Sequence, residues 1–374
     1  MFFVRFSKMG LENLALVETG NFPIRHKGEV HNGKVRSVYW LNEEDSKRLI
    51  GERRFNVDPN TSLGVMVISD RISAFDVIWH GEEGLKGVPG KGASLNAISK
   101  YWFDKFDSEG LVGNHILEVP HPLVWVVQKA KPVLIEAIAR QYITGSMLRD
   151  YKAGTRNFCG IDLPDGLKDN QKLPELLITP TTKGDLSHVE GLPKGDDANL
   201  TRDQILRYSG ALGFKDASHV NFYETLLKQG FNSISQKLGS LGQIFVDTKF
   251  EFGYVRNPAT GNMEMIYIDE MGTPDSSRMW DADSYQGGSI VDSSKEGFRQ
   301  FLLSNINRDV LLDKKRMVER RNLARDYSVP VDRMMDVSKV YTGMVESITG
   351  KPIPLVKDAM AEILDALNSY KVVI

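Results

Sequence analysis

Charged side chains alternate with apolar ones in residues 243–252, and this segment carries the residue types best suited to chemistry. Asp247, Lys249 and Glu251 alternate there with Val, Thr and Phe residues. Because side chains on a strand point to opposite faces with a period of two, the three charges are predicted to share one face. One surface of this strand would then present two carboxylates and an ammonium group.

A second apolar run, residues 265–268, ends in the acidic pair Asp269 and Glu270. Residues 257–262 read Asn-Pro-Ala-Thr-Gly-Asn, which is typical of a turn. The two runs therefore predict a β-hairpin that brings Glu251 close to Asp269 and Glu270. Hard cations that also hold phosphate use one or two protein carboxylates and fill their other positions with water and phosphate oxygens.

The alternative to a functional site is the solvated face of an amphipathic hairpin, which also alternates charged and apolar residues. A dense polar cluster at 273–278, Thr-Pro-Asp-Ser-Ser-Arg, follows the second run directly. It adds a further carboxylate, Asp275, and a guanidinium, Arg278, to the same region. This cluster favours the functional interpretation.

Two glycine-rich segments resemble phosphate-binding loops in spacing. Residues 28–35 match the P-loop pattern except that Val35 replaces the Ser or Thr that ligates magnesium, and a strand follows where a helix is required. Residues 87–92 do not fit the P-loop pattern either, for similar reasons. A glycine turn that feeds Lys34 into a strand remains compatible with a kinase-like design, in which backbone and lysine cover nucleotide phosphates.

Other polar clusters lie at the ends of predicted elements, where sites are usually built. Residues 69–76, Ser-Asp-Arg-Ile-Ser-Ala-Phe-Asp, fit a site or a capped turn equally well. Residues 136–146 place Arg140 at the end of a strand and a Gly-Ser pair before the next element, a combination that suits phosphate or carboxylate. Residues 179–183 add hydroxyls and a lysine. His115 and His188 are interpreted as structural, because no spacing pairs either with a second metal ligand.

The element pattern predicts an α+β fold, with a strand-rich first third and a helical last third. The predicted strands cover residues 34–41, 64–69, 124–129 and 133–139. The predicted helices cover residues 94–106, 202–212, 217–238, 295–305, 311–327, 334–349 and 355–370. Residues 157–200 are dense in Pro, Gly, Asp and Lys and are predicted to form a long functional loop.

Composition excludes several classes of protein. The 374 residues suit one large or two moderate domains, and 41% hydrophobic with 26% charged residues is typical of a soluble globular protein. A net charge of -2 gives no electrostatic footprint for nucleic acid or an anionic membrane. The single cysteine, Cys159, excludes an intrachain disulfide. Residues 1–8 lack the pattern of a signal peptide, and no segment predicts a membrane helix, so the cytoplasm is the expected location.

The motifs occur together in the order of a known family. Residues 33–36, 69–76, 91–92, 140–146, 179–183, 247–253 and 269–280 resemble SAICAR synthetase, and the likeness spans roughly residues 25–350. The resemblance implies an ATP-dependent ligase that joins the carboxylated aminoimidazole ribonucleotide CAIR to L-aspartate through an acyl phosphate, in de novo purine synthesis. It also implies a kinase-like antiparallel β domain, residues 1–128, followed by an α+β domain with a helical tail, residues 129–374.

The resemblance implies a role for each matching residue. Glu251 and Asp269 would ligate magnesium. The catalytic residues would be Lys249, Asp247 and Arg278. Contacts to ATP would come from Lys34, the hinge residues Gln128, Lys129 and Lys131, and, through the metal, Glu251. Substrate would be bound by Arg140, Ser146 and Arg278 at the CAIR phosphate, and also by Asp70, Arg71, Lys91, Lys183 and Asp275.

The chain departs from the family pattern in three places. An insertion at 184–199 separates His188 from the Asp-Asp-Ala-Asn run that follows it, and Ser294 replaces an aspartate before Lys295. Residues beyond about 350 add a helical segment that would cap the core or form a homodimer contact. The rival interpretations are a kinase-like phosphotransferase, which would need a His-Arg-Asp loop that the sequence lacks, and a nucleotide-binding paralogue without catalysis.

Overall fold

A five-stranded antiparallel sheet dominates the first third of the chain. The computed structural model describes residues 10–354 and 356–374, so the prediction for residues 1–8 lies outside the described residues. The sheet has the order β1-β2-β3-β7-β6, and β4 and β5 form a separate hairpin. The strands are β1 His31–Asn32, β2 Arg36–Trp40, β3 Leu63–Ile68, β4 Ile72–Ala74, β5 Val77–Trp79, β6 Ile116–His121 and β7 Val124–Gln128.

A second sheet is built around one long strand, β14, which is shared by four neighbours. Its first half pairs with β9 and β16, and its second half pairs with β15 and β8, all antiparallel. The remaining strands are β8 Lys131–Pro132, β9 Ile135–Tyr142, β10 Asn157–Phe158, β11 Ile161–Asp162, β12 Lys172–Ile178, β13 Thr181–Thr182, β14 Gln243–Arg256, β15 Met263–Ile268 and β16 Ser277–Asp281.

Helices cover both sheets and dominate the last third of the chain. α1 begins where the Asn42 side chain accepts a hydrogen bond from Asp45 N, and α4 begins at a capping box of Thr201 and Gln204. The helices are α1 Glu43–Arg53, α2 Lys91–Ser108, α3 Gly145–Lys152, α4 Arg202–Arg207, α5 Ser218–Gly239, α6 Ala282–Gln286, α7 Glu296–Asn305, α8 Arg308–Leu312, α9 Met317–Asp326, α10 Val331–Thr349 and α11 Ala359–Asn368. Within the described ranges, no helix has both the length and the apolar character needed to cross a bilayer.

The apolar face of β14 is what fixes the position of its charged face. Phe250 and Phe252 are buried among aromatic rings of α2 and β15, with Tyr267 centred 6.0 Å from Phe250 and 5.1 Å from Phe252. Helix α5 comes close because Gly230 has no side chain, and a Cβ there would lie 2.8 Å from the Phe250 ring. With one face of residues 247–252 sealed in this way, Asp247, Lys249 and Glu251 face the other side.

Residues 23–25 pair with residues 372–374 beside the first sheet. Arg25 N donates to Val372 O at 2.8 Å, and Ile374 N donates to Pro23 O at 2.8 Å. Arg48 adds a bond from its side chain to Tyr370 O at 2.9 Å. Residues 370–374 thus hold the segment that leads into the five-stranded sheet.

The α+β fold class is confirmed, but two predicted elements are wrong. Residues 157–200 are not one loop, because β12 pairs with β9 at the edge of the second sheet, where Pro174 and an irregular register between Lys172 and Leu177 are tolerated. The predicted helix 311–327 is two helices, α8 and α9, separated by a turn in which Lys315 N donates to Asp313. Residue 355, the predicted start of the last helix, lies outside the described residues, and α11 begins at Ala359.

Candidate functional site

A cleft of about 1280 Å³ runs between the five-stranded sheet and the charged face of β14. The strand brings Asp247, Lys249 and Glu251 to its floor, as period-two alternation predicts. In the hairpin Glu251 pairs with Ile268, so Asp269 lies one residue beyond that pair and reaches the same cleft. The two predicted metal ligands and the predicted catalytic lysine therefore line the same cleft.

Lys249 is held between two carboxylates. Its Nζ donates to Glu136 Oε1 at 2.9 Å and to Glu251 Oε1 at 2.8 Å, and Lys183 binds the other oxygen of Glu251. Burial alone would lower the pKa of Lys249, but the charges of Glu251 and Glu136 outweigh it and raise that pKa well above its ordinary value. Lys249 is therefore a fixed cation and cannot act as a base near neutral pH.

Asp269 is held by an arginine from the other sheet. Arg36, on β2, binds Asp269 and also donates to Glu270 Oε2 at 3.0 Å. Burial would raise the pKa of Asp269, but Arg36, Lys249 and Lys183 outweigh it and hold that pKa well below its usual range. The backbone of Asp269 is left-handed, with φ 62°, a conformation uncommon outside glycine and often found at functional sites.

Glu251 and Asp269 suit a hard cation only with help from a ligand. Two carboxylates from adjacent strands match the protein share of a magnesium site that keeps phosphate oxygens and water. Among residues 10–354 and 356–374, no group of three or more His, Cys, Asp and Glu side chains is arranged to hold a metal. A cation bound here would thus take most of its ligands from solvent and phosphate.

Two arginines share one buried carboxylate at the far end of β14. Asp247 accepts from Arg140 Nη1 at 3.1 Å and from Arg278 Nη1 at 2.5 Å. Thr179 Oγ1 accepts from Arg140 Nε at 2.9 Å, and Glu296 lies 3.2 Å from Arg278 Nη2. The guanidinium groups keep some of their donors free for an anion in the cleft.

Helix α3 begins beside these arginines. Gly145 has φ 58°, and a Cβ there would lie 2.4 Å from Arg278 Nη2, so a larger residue would collide with the guanidinium. Ser146 lines the cleft at the start of the helix, and Arg149 follows one turn later. Within the described part of the chain, Arg149 makes no ion pair. Backbone N–H groups, a hydroxyl and three guanidiniums together suit a phosphate dianion.

A buried polar cluster closes the cleft behind the arginines. Asp275 accepts from Lys91 Nζ at 2.8 Å and from the hydroxyl of Tyr341, and Lys295 Nζ lies 3.4 Å away. Lys91 is fully buried, whereas Asp275 and Lys295 line the cleft. Burial lowers the pKa of Lys295 to about 8, because one carboxylate only partly offsets the loss of solvent.

The opposite end of the cleft is apolar and lies against the first sheet. Val38, Met66 and Val127 line it together with the predicted hinge residues Gln128 and Lys129. Lys129 Nζ lies 5.1 Å from the centre of the Trp40 ring. Lys34, at the mouth, pairs with Asp76 at 2.5 Å. Lys131 belongs to the exposed β8 and does not line the cleft.

Three predicted substrate residues, Asp70, Arg71 and Lys91, lie outside the lining of the cleft. Asp70 is buried and accepts backbone hydrogen bonds from Leu16 N at 2.9 Å and Gly92 N at 2.7 Å, so it anchors the first turn of α2. Arg71 donates to Ser69 Oγ at 3.0 Å. Lys91 is fully buried and bound to Asp275.

Several cleft residues were missed by the sequence analysis. For Arg36 a signal was available, since the period of a strand places it on the same face as Lys34. Glu136 lies four residues before Arg140 on β9, so the period of a strand also predicts that these two side chains share one face. Other missed lining residues are Arg149, Glu296 and Arg299.

Comparison with known proteins identifies the family. The family model of SAICAR synthetase matches residues 29–311. A phosphoribosylaminoimidazole-succinocarboxamide synthase of Vibrio parahaemolyticus is 59% identical over 361 residues, covering 96% of this chain and 98% of the relative. The corresponding synthase of Shewanella pealeana is 55% identical over 368 residues, covering 98% and 100%.

Solved structures give the same result for the fold. The SAICAR synthase of Saccharomyces cerevisiae, solved with SAICAR, superposes with a TM-score of 0.64 at 26% identity, covering 90% of this chain and 99% of that one. A type-2 SAICAR synthetase, solved with ADP, has a TM-score of 0.56 at 20% identity, covering 87% and 100%. The near-complete match to the curated relatives and the family match over residues 29–311 lead to one conclusion: the chain belongs to the SAICAR synthetase family.

Proposed function

We propose that the cleft carries out the ligase reaction of the family with ATP against the five-stranded sheet and CAIR at the paired arginines. The reaction joins CAIR and L-aspartate to give SAICAR, ADP and phosphate in purine biosynthesis, and relatives 55–59% identical over nearly the whole chain carry that name. The observation that carries the proposal is the charged face of β14, where Glu251 lies beside Asp269 of the hairpin and Asp247 binds Arg140 of β9 and Arg278 of β16. That arrangement suits two phosphate-bearing substrates at once.

Activation of the CAIR carboxylate comes first, because a carboxylate is a poor acyl donor. One of its oxygens attacks the terminal phosphorus of ATP, ADP leaves, and an acyl phosphate forms. The aspartate amine then attacks the carbonyl carbon, the C–N bond forms, the C–O bond to phosphate breaks, and the amine gives up its protons. Phosphate leaves with one oxygen of the original carboxylate. Neither step requires a nucleophile from the protein.

Lys249 supports this chemistry as a fixed positive charge. Its raised pKa keeps it protonated, and Glu136 and Glu251 hold the ammonium at the floor of the cleft. A preorganised cation there stabilises the negative charge that moves through the phosphoryl group. Glu251 and Asp269 would hold magnesium, which would supply further charge stabilisation at the phosphate oxygens.

The CAIR phosphate is placed at Arg140, Arg278 and Ser146. Arg278 and Arg140 already share a carboxylate, so both guanidiniums are held in position before substrate arrives. Preorganisation of this kind reduces the ordering cost of binding. Arg149, which has no carboxylate partner in the described chain, supplies a further charge at the same place.

ATP is placed between two units, residues 1–128 and 129–374. The apolar end of the cleft, lined by Val38, Met66 and Val127, suits the adenine ring, and Gln128 and Lys129 follow directly as the hinge. Its phosphates would then point toward Lys34 and the carboxylates of the hairpin.

Oxygen labelling tests the order of these steps. CAIR labelled with heavy oxygen in its carboxylate should transfer one label to inorganic phosphate in each turnover. A phosphotransferase acting on a hydroxyl would transfer none, and label arriving from aspartate would show that aspartate is the activated partner. ADP release with CAIR and aspartate omitted in turn gives the matching control, because both are required for turnover. Unlabelled phosphate from labelled CAIR would overturn the proposal.

A further inference from the structure

Every carboxylate at the proposed metal position is already neutralised by a side-chain cation. Glu251 is bound by Lys183 and Lys249, and Asp269 is bound by Arg36. Each of these two carboxylates therefore already has a cation of the chain beside it. A metal ion approaching these oxygens meets cations of the protein first.

Arg36 differs from the two lysines in how it is anchored. Its guanidinium reaches across from β2 to Asp269 and Glu270, over a separation of more than 230 residues, and its side chain is 10% exposed. Its Nε is buried and, among the described residues, has no hydrogen-bond partner. Beneath it lies the Trp125 ring, 5.9 Å from Cζ. The two carboxylates are thus the hydrogen-bonding groups that hold it.

We propose that Arg36 is a positioning residue that serves as an internal counter-ion, holding Asp269 and Glu270 until metal and nucleotide arrive together and then binding a phosphate oxygen of ATP. The inference rests on the proposed metal role of Glu251 and Asp269. Lys183 acts in the same way at Glu251. Lys249 stays in place, because Glu136 holds it as well.

Electrostatic repulsion explains why the replacement of Arg36 by a metal ion at Asp269 must be coupled to nucleotide binding. A divalent cation within metal-bonding distance of Asp269 would lie beside the guanidinium, and like charges that close repel strongly in a partly buried site. The triphosphate of ATP offers the displaced guanidinium a new anion, including an acceptor for its unpaired Nε. Metal and ATP should therefore each strengthen the binding of the other by the same factor.

Manganese binding to the full-length protein tests this directly, with free Mn²⁺ counted by electron paramagnetic resonance. The wild-type protein should bind Mn²⁺ weakly alone and tightly with ADP or a non-hydrolysable ATP analogue. Without nucleotide, Arg36→Met should bind Mn²⁺ at least about tenfold more tightly than the wild type, within the usual range of coupling between sites. Nucleotide should then increase its Mn²⁺ affinity less than it increases that of the wild type. Arg36→Lys keeps the charge and should retain the weak affinity of the wild type.

Arg53→Met is the matched control. Arg53 also pairs across elements, with Glu118 at 3.1 Å, but it stacks on Tyr370 and does not line the cleft. Its removal should leave both manganese affinities unchanged. If Arg36→Met does not fold, Lys183→Met reports the same exchange at Glu251.

The outcomes separate the inference from the proposed function. Unchanged Mn²⁺ affinity in both Arg36→Met and Lys183→Met, with binding still lost in Asp269→Asn, would refute the counter-ion role and leave the metal site standing. Mn²⁺ binding by Asp269→Asn equal to that of the wild type would refute the metal site itself. Tighter binding by Arg36→Lys than by Arg36→Met would also refute the inference, since charge is its cause.

Discussion

Replacing Asp247 with asparagine removes a single charge from between two buried arginines. Asp247 is 5% exposed and accepts from Arg140 at 3.1 Å and from Arg278 at 2.5 Å. Breaking a buried ion pair from one side costs about 3–5 kcal/mol, because the remaining charge is left uncompensated. The unfolding entropy is roughly 2.1 cal/mol/K per residue, or about 0.8 kcal/mol/K for this chain. We therefore expect Asp247→Asn to lower the melting temperature by about 4–6 °C.

Phosphate should then restore stability to this variant more than it stabilises the wild type. In the wild type Asp247 already compensates part of the charge of the two guanidiniums, whereas in Asp247→Asn phosphate supplies the missing negative charge. A ligand at free concentration c that binds only the folded state raises the free energy of unfolding by RT ln(1 + c/Kd), so the tighter site is stabilised more at the same phosphate concentration. Scanning calorimetry in phosphate and in chloride, at equal ionic strength, measures the difference.

Asp45 provides the matched control for this measurement. It too is shared by two arginines, Arg25 at 3.0 Å and Arg48 at 2.8 Å, but it lies in the first turn of α1 and does not line the cleft. Asp45→Asn should also lose stability, but less than Asp247→Asn does, because its arginines are more exposed. Phosphate should not restore the stability of Asp45→Asn. Equal stabilisation of Asp247→Asn and the wild type by phosphate would refute the reasoning, as would a melting temperature lowered by less than about 1 °C.

Three further predictions concern the metal, the substrate and pH. Asp269→Asn should lower turnover by roughly a hundredfold or more, because charge stabilisation at the phosphoryl group is lost, and near-normal turnover at saturating magnesium would contradict the ligand role. Arg278→Lys should raise the KM for CAIR by about tenfold, equivalent to roughly 1.4 kcal/mol, and the KM for ATP much less, because lysine cannot bind phosphate bidentately; equal increases would place Arg278 at the nucleotide. Lys295 has a pKa of about 8 in the folded protein against 10.5 ordinarily, so the folded state binds fewer protons than the unfolded one between those values. Its contribution therefore makes the free energy of unfolding rise with pH across that window, and Lys295→Met should flatten the rise in urea titrations at pH 8 to 10.

The hairpin of the site could be predicted because its determinants are local. Alternation fixed the face of Asp247, Lys249 and Glu251, and the turn between the strands placed Asp269 beside them. Burial of Phe250 and Phe252 then left the charged face no alternative orientation. The SAICAR synthetase motifs identified the family for the same reason, since they are short and contiguous.

Contacts between distant segments could not be predicted in this way. The pairing of Arg36 with Asp269 joins two sheets, and no spacing in the sequence encodes it. β16, Ser277–Asp281, was not predicted from the sequence. Its Arg278 side chain binds Asp247 and Glu296 in the protein instead of pointing to solvent. Helix α1 was missed because Leu49 and Ile50 are its only large apolar residues, which leaves almost no helical periodicity to detect.

The pairing of residues 23–25 with residues 372–374 has a consequence for synthesis on the ribosome. Residues 23–25 reach the ribosomal exit more than 300 residues before Val372 and Ile374, the residues that hold them. The segment that leads into the first sheet therefore lacks these hydrogen bonds while the rest of the chain is translated. Contacts between such distant residues form slowly, because a long loop must close before they can stabilise anything. During synthesis, residues 23–25 should thus stay sensitive to proteases until residues 372–374 have docked.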